Sequence, residues 1–224
     1  MSNIDLSTWE LQLPVQKGNS VEIIKPDKLK SYKSENFYDS TDHGISFRCP
    51  VNGATTKNAK YPRSELRERL EGGEWNLEGH HLLVASCKVN KLAGGKGIII
   101  GQIHGTDSDN TPQIVKLIYQ LDGTVAVQIK SDLDPKKQVA LPLGKFKINE
   151  LITYTLEMKH NLLFASVARK VDEYYIENST VVPFHSSYWD KQKYYFKAGC
   201  YVQNSDSSDD YALVTFYSIQ TFHS

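Results

Sequence analysis

Cysteine is scarce in this chain: three residues in 224, at positions 49, 87 and 200. An odd count cannot be fully paired within one chain, so a disulfide framework is not what holds the fold. Each cysteine stands on the apolar side of a short alternating run: Phe47/Cys49/Val51, Ala85/Cys87/Val89 and Ala198/Cys200/Val202. Buried free thiols are the expected state, since a thiol packs as a small hydrophobe; one disulfide plus one free thiol is the alternative. Net charge is also missing, with 26 Lys plus Arg against 26 Asp plus Glu. That excludes a nucleic-acid binder working through a broad basic surface. An anionic ligand would have to be drawn by a local cluster of cations. No apolar run approaches the ~20 residues of a membrane helix, so no membrane partner is expected. Residues 1–5 lack the basic and apolar stretches of a leader, which reads as an intracellular chain or an already mature domain.

Several chemical signatures are absent as well. His80 and His81 are adjacent and would point apart on a strand, so no metal or other cofactor is expected. The glycine-rich segment 94–97 lacks the spacing of a phosphate loop and reads as a hairpin turn. There is no serine nucleophile elbow. A glycosidase needs a pair of carboxylates. Here only Glu65 looks placed in a cleft, between arginines that would keep it ionised.

What the chain does have is short alternating runs: 44–49, 82–89, 98–104, 114–119, 125–129, 153–158, 163–168, 194–203 and 212–220. Turn pairs separate them, among them Asn52-Gly53, Gly72-Gly73, Gly94-Gly95, Asp122-Gly123 and Asp134-Pro135. Helical periodicity is confined to one short candidate over 26–32. Many strands and almost no helix predict an all-β sandwich or barrel. The length suits one undivided domain over 1–224. Two polar segments, 105–111 and 204–210, follow candidate site strands and are candidate lids. The second holds three aspartates, but without the spacing of a calcium loop it reads as a solvated turn. Asn178-Ser179-Thr180 is a glycosylation triplet of the kind that arises by chance.

Three segments carry the chemistry. Residues 61–68 read Tyr-Pro-Arg-Ser-Glu-Leu-Arg-Glu. In a strand, Arg63, Glu65 and Arg67 share one face, with Ser64 and Leu66 on the other. Two planar guanidiniums flanking a carboxylate suit a ligand bearing carboxylates. Taken alone, the segment reads equally well as a solubilising ladder on a sheet edge. Gln102-Ile103-His104 sets Gln102 and His104 on one face. In Tyr-Phe-Lys-Ala-Gly-Cys-Tyr-Val-Gln, Tyr195, Lys197, Tyr201 and Gln203 face one way, and Phe196, Ala198, Cys200 and Val202 face a core. Gly199 falls on the polar face, where a missing side chain would leave room for a ligand.

These three segments, in this order, resemble the signature strands of the family 7 polysaccharide lyases, the alginate lyases. The opening Leu-Ser-Thr-Trp-Glu-Leu-Gln-Leu-Pro over 6–14 resembles the family's N-terminal strand. Cys200 at a variable position and compact loops between the motifs are the departures. The resemblance implies a β-jelly roll of two curved antiparallel sheets with an open cleft, secretion, and alginate, an anionic polysaccharide, as partner. A monomer is expected. It implies cleavage by β-elimination: loss of the C5 proton beside the uronate carboxylate and expulsion of the C4 oxygen.

Arg63 and Gln102 are the candidates to take up charge developing on that carboxylate. Glu65 is expected to orient both guanidiniums, and Arg67 to bind the same or a neighbouring sugar. His104 is the candidate base, its unperturbed pKa of ~6.5 leaving it largely neutral at pH 7. Tyr201, ordinarily ~10, is the candidate acid, or a base if cations lower its pKa. The resemblance implies histidine as base for guluronate and one tyrosine as base and acid for mannuronate. Lys197, Gln203 and Tyr195 are candidate sugar contacts. Isoleucine in the Gln-x-His motif is associated in the family with guluronate-containing blocks, and endolytic action is expected. A lyase for another polyuronate such as glucuronan, or a non-catalytic carbohydrate-binding module, are the alternatives. A binding module would not need His104 and Tyr201 together.

Overall fold

A computed structural model describes residues 4–106, 113–130, 138–183, 189–206 and 208–224. Among these residues the chain forms β1 (Trp9–Lys17), β2 (Ser20–Ile24), α1 (Pro26–Leu29), β3 (Phe37–Asp39), β4 (Ile45–Pro50), β5 (Arg63–Glu68), β6 (His80–Lys91) and β7 (Ile98–Gly105). It continues with β8 (Gln113–Tyr119), β9 (Thr124–Lys130), β10 (Gln138–Lys145), β11 (Leu151–Lys159), β12 (Leu162–Val171), β13 (Tyr174–Pro183), β14 (Tyr194–Val202) and β15 (Tyr211–His223). The expected helix over 26–32 is a single turn. Pro26 suits its start, but four residues hardly exceed the costly nucleus.

The strands make two antiparallel sheets. One runs β10-β9-β8-β7-β14-β5-β1-β2, the other β13-β12-β11-β6-β15-β4-β3. Strands such as β6 and β11 alternate buried with partly exposed positions along their length, the pattern of a sheet with one face in a core. The core fills the space between the sheets. Trp9, Leu11 and Leu13 from β1, Leu66 from β5 and Phe196 from β14 meet Leu83, Leu156 and Phe216 from the opposite sheet. Cys49, Cys87 and Cys200 are free and fully buried in this layer, and burial pushes all three thiols well up.

Two devices hold the site strands against the second sheet. Tyr154 on β11 donates its hydroxyl proton to the Ile100 carbonyl at 2.9 Å. Its ring lies so close to Gly101 that a Cβ there would sit 2.8 Å from it. Glycine at 101 therefore lets the second sheet press directly behind Gln102. Glu68, at the end of β5, is buried and accepts from Trp75 Nε1 at 3.2 Å and from the Phe196 backbone at 3.1 Å. Its other oxygen meets His223 Nε2 of β15 at 2.8 Å. One carboxylate thus ties β5, β14 and β15 together.

Candidate active site

The three segments singled out in the sequence, far apart along the chain, become neighbours: β7, β14 and β5 are consecutive strands of the first sheet. Register does the rest. Lys197 lies opposite Arg67 on one side and Gln102 on the other; Tyr201 lies opposite Arg63, Gly199 opposite Glu65, and Tyr195 opposite His104. Ser64, Leu66, Ile103, Phe196, Ala198, Cys200 and Val202 point into the core, as the alternation requires.

Glu65 sits at the centre, with no exposed surface. Its Oε1 accepts from Gln102 Nε2 at 2.5 Å. Its Oε2 pairs with Lys197 Nζ and lies 3.5 Å from Arg63. A carboxylate can only accept, so it fixes the Gln102 amide with its nitrogen inward and leaves that nitrogen a second proton to donate. The expectation that Glu65 orients both guanidiniums is corrected: it holds Arg63 and Lys197. Arg67 instead pairs with Glu74 at 2.9 Å and with Glu10 at 3.7 Å. Glu10 also receives Lys25 at 2.7 Å and Arg69 at 3.6 Å.

The face is less open than a surface ladder: Gln102 is 1 % exposed and Lys197 3 %. Burial lowers the Lys197 pKa to about 8 against the pull of Glu65, with Arg63 adding to the depression. The charge on Lys197 is therefore held largely by its partner.

Two guanidiniums stack on two phenols. Arg63 lies 3.8 Å above the Tyr201 ring centroid and Arg67 4.1 Å above that of Tyr195. Burial raises the Tyr201 pKa, Arg63 opposing, so the phenol is a proton donor at neutral pH. Burial pushes Tyr195 up to about 12. His104 Nδ1 is 2.8 Å from the Gly105 carbonyl and 2.8 Å from the Tyr195 hydroxyl oxygen. A carbonyl only accepts, so Nδ1 carries the proton, and in the neutral ring Nε2 is bare. Burial, followed by Lys197, Arg63 and Arg67, holds the His104 pKa well below 6.5. At pH 7 the ring is neutral with one lone pair to offer.

Gln203 follows β14; its Nε2 donates to the Val202 carbonyl at 2.8 Å, and its side chain counters part of the rise in the Tyr201 pKa. Gly199 does not leave room for a ligand, as its place on the polar face suggested. A Cβ there would lie 2.6 Å from Glu65 Cα and from the Ser64 carbonyl, and its φ is +154°. Backbone contact with β5 at an irregularity between Ala198 and Tyr201 demands the glycine.

Glu10, Glu74, Arg69 and Lys116 also belong to this face, though none lies in the three motif segments. Glu10 and Lys116 carry a faint signal, as charged residues set between apolar neighbours in strands; Glu74 and Arg69 lie outside any alternating run. Among the described residues no group of three or more His, Cys, Asp or Glu is arranged to hold a metal ion. His80 meets Glu157 at 2.7 Å while His81 meets His223 at 2.9 Å, on opposite sides of β6. Residues 107–112 and 207 lie outside the described residues, so the candidate lids over 105–111 and 204–210 are only partly in view. Asp206 and Asp210 accept from Ser208 and Lys91 respectively, as in a self-satisfied turn.

In sequence and overall fold the chain is similar to known proteins. The alginate lyase family pattern matches residues 4–223. Alginate lyase A1-II′, a member of polysaccharide lyase family 7, is 34% identical over 99% of this chain and 97% of its own, with a TM-score of 0.87. A variant of it with one tyrosine replaced by phenylalanine has been seen with the product GGG, and a variant with a histidine also replaced has been seen with the substrate GGMG. An alginate lyase of Pseudomonas aeruginosa is 30% identical over 98% of this chain and 100% of its own, TM-score 0.86. One from Klebsiella pneumoniae is 27% identical over 98% of this chain and 89% of that protein. The two-sheet sandwich is the jelly roll of these lyases, and the chain belongs to the alginate lyases of polysaccharide lyase family 7.

Proposed function

We propose that this alginate lyase cuts within the polymer, favours guluronate-containing blocks and releases unsaturated oligosaccharides. The observation that carries the reading is the pairing of a neutral His104, bare at Nε2, with a protonated Tyr201 on one carboxylate-binding face. Arg63 and the free Gln102 amide proton receive the carboxylate of the reacting sugar and the charge that grows on it. His104 Nε2 takes the C5 proton. The electron pair left behind forms the C4–C5 double bond, the C4–O bond breaks, and Tyr201 protonates the departing oxygen. Base and acid are then separate groups, as anti elimination from guluronate requires. Syn elimination from mannuronate would ask Tyr201 to serve first as base. Burial raises its pKa and makes phenolate scarce, so mannuronate is the slower substrate.

Ile103 is fully buried in the core, so any influence it has on block preference passes through the seating of Gln102 and His104. Cutting within the polymer is supported by the reach of the polar row. It runs from Arg67 through Lys197 and Gln102 to Lys116, three strand spacings or roughly 14 Å. The relative whose variants have been seen with GGG and GGMG has a site that takes several sugars at once. Action outside the cell, where a polymer of this size is met, follows from the same reading.

The test is ultraviolet absorbance of the conjugated product on polyguluronate, polymannuronate and glucuronan, with product sizes followed in time. The expected result is a faster rise on polyguluronate, with intermediate-length products first, abolished in His104→Ala and Tyr201→Phe. A rise on glucuronan alone would move the protein to another polyuronate. Monomer or dimer release from the outset would overturn internal cleavage.

A further inference from the structure

Lys116 lies on β8, directly opposite Gln102 on β7 and opposite Gln128 on β9. It therefore continues the row Arg67–Lys197–Gln102 by one strand, about 4.8 Å beyond the glutamine. The other cations of the row have counter-charges: Arg63 and Lys197 share Glu65, and Arg67 has Glu74 and Glu10. Among the described residues Lys116 has no carboxylate within ion-pair distance and no hydrogen-bond acceptor. The charge that acts on it most strongly is another cation, Lys130 on β9, ahead of Arg63 and of the opposing pull of Glu65. Two positions along the same strand face, Ile118 packs with Ile99, Ala126 and Tyr201 in a small apolar floor in register across β14, β7, β8 and β9.

A half-buried cation beside a like charge and an apolar floor is costly to the free protein. Burial, then Lys130 and Arg63, lower its pKa to about 8, which leaves it charged at neutral pH but held against its surroundings. What offsets such a cost is an anion delivered from outside. The established substrate carries one carboxylate on every sugar, and the carboxylate at Arg63 and Gln102 accounts for only one of them.

We propose that Lys116 holds the carboxylate of a second uronate, the neighbour of the one gripped by Arg63 and Gln102, and so sets which glycosidic bond lies at His104 and Tyr201. The inference rests on the alginate reading of the site. Lys116 touches substrate away from the reacting atoms; it is a positioning and register residue.

The test compares wild type, Lys116→Met and Lys116→Arg on polyguluronate and on size-fractionated guluronate oligosaccharides. Absorbance gives kcat and KM, mass spectrometry gives product sizes, and thermal unfolding is measured without substrate. For Lys116→Met the expected result is a KM raised by about tenfold or more, with the smaller part of the effect in kcat, as for loss of one charge-assisted contact. Its products from a given oligosaccharide shift in size, because the chain seats in more than one register. Lys116→Arg restores both readings towards wild type. The unfolding temperature of Lys116→Met is equal to or above that of wild type, since a half-buried cation with no ion-pair partner among the described residues has been removed. Unchanged KM and product sizes in Lys116→Met would overturn the proposal, as would a marked fall in its unfolding temperature or an Arg variant as impaired as the Met variant. Failure of wild type to act on any alginate block would instead overturn the alginate reading itself.

Discussion

His104 and Tyr201 divide a single elimination between them, and their surroundings set the proton inventory each brings. The Gly105 carbonyl fixes the tautomer of His104, while burial and three cations keep the ring neutral. The acid limb of kcat/KM for guluronate substrates is therefore expected well below pH 6.5, and a pH–rate profile between 5 and 7.5 checks it. Tyr201→Phe removes the acid but keeps the ring under Arg63. Its kcat is expected to fall by roughly 10²–10⁴, with oligosaccharide binding retained in calorimetry. Loss of binding along with turnover would show that the hydroxyl grips substrate in the ground state. Glu65 was legible in the sequence as the carboxylate between two arginines. Its pairing with Arg63 was legible too, but those with Gln102 and Lys197 were not, because both reach it from strands 37 and more residues away. Glu65→Gln leaves Lys197 buried without its counter-charge. A loss of about 3–5 kcal/mol in denaturant unfolding is expected, together with most activity.

At the scale of elements, β5, β7 and β14 act as one plate. The period-two pattern told which residues of each strand share a face, since alternation is a property of the local backbone. It could not tell that the middle strand of the three would be β14, the last in sequence, nor that Arg67 would turn from Glu65 towards Glu10 and Glu74. Gly199 shows the same limit. Its parity placed it among ligand-facing residues, yet its backbone is pressed against β5. Gly199→Ala is expected to cost about 1–3 kcal/mol from the positive φ alone, and more from the clash with β5. Unfolding measurements together with activity would separate this from a role in binding, because a ligand pocket filled by one methyl would lose affinity and keep stability. The Glu68 junction belongs to this scale as well. Glu68→Ala strands the Trp75 and Phe196 donors in the core, and a loss of about 3 kcal/mol or more is expected in the same assay.

For the whole molecule, zero formal net charge coexists with a strongly cationic site. Arg63, Lys197 and Arg67 are held by buried acids, Glu65 and Glu10, rather than by an excess of positive charge over the surface. Stability should reflect the cost of holding His104 neutral. Its folded pKa lies below the unfolded ~6.5, so the unfolded state binds the extra proton first. The two forms are equal in this respect above ~6.5. As pH falls from there towards the folded pKa, stability is lost. Wild type is expected to lose unfolding temperature more steeply than His104→Gln between pH 7 and 5, and parallel curves would contradict the assigned neutral state.

By itself the sequence determined the strand-rich class, the apolar parity of the cysteines, the inward and outward residue of each site strand, and the motifs that mark the family. These follow from local backbone geometry and residue chemistry, which a chain carries wherever it folds. The tertiary structure alone decided which cations share Glu65 and which Glu10, the tautomer of His104 and the burial that lowers its pKa, the reason for Gly199, and the place of Lys116 between Gln102 and Gln128. Each of these depends on sheet order, register and burial, and those arise only when strands distant in the chain are brought side by side.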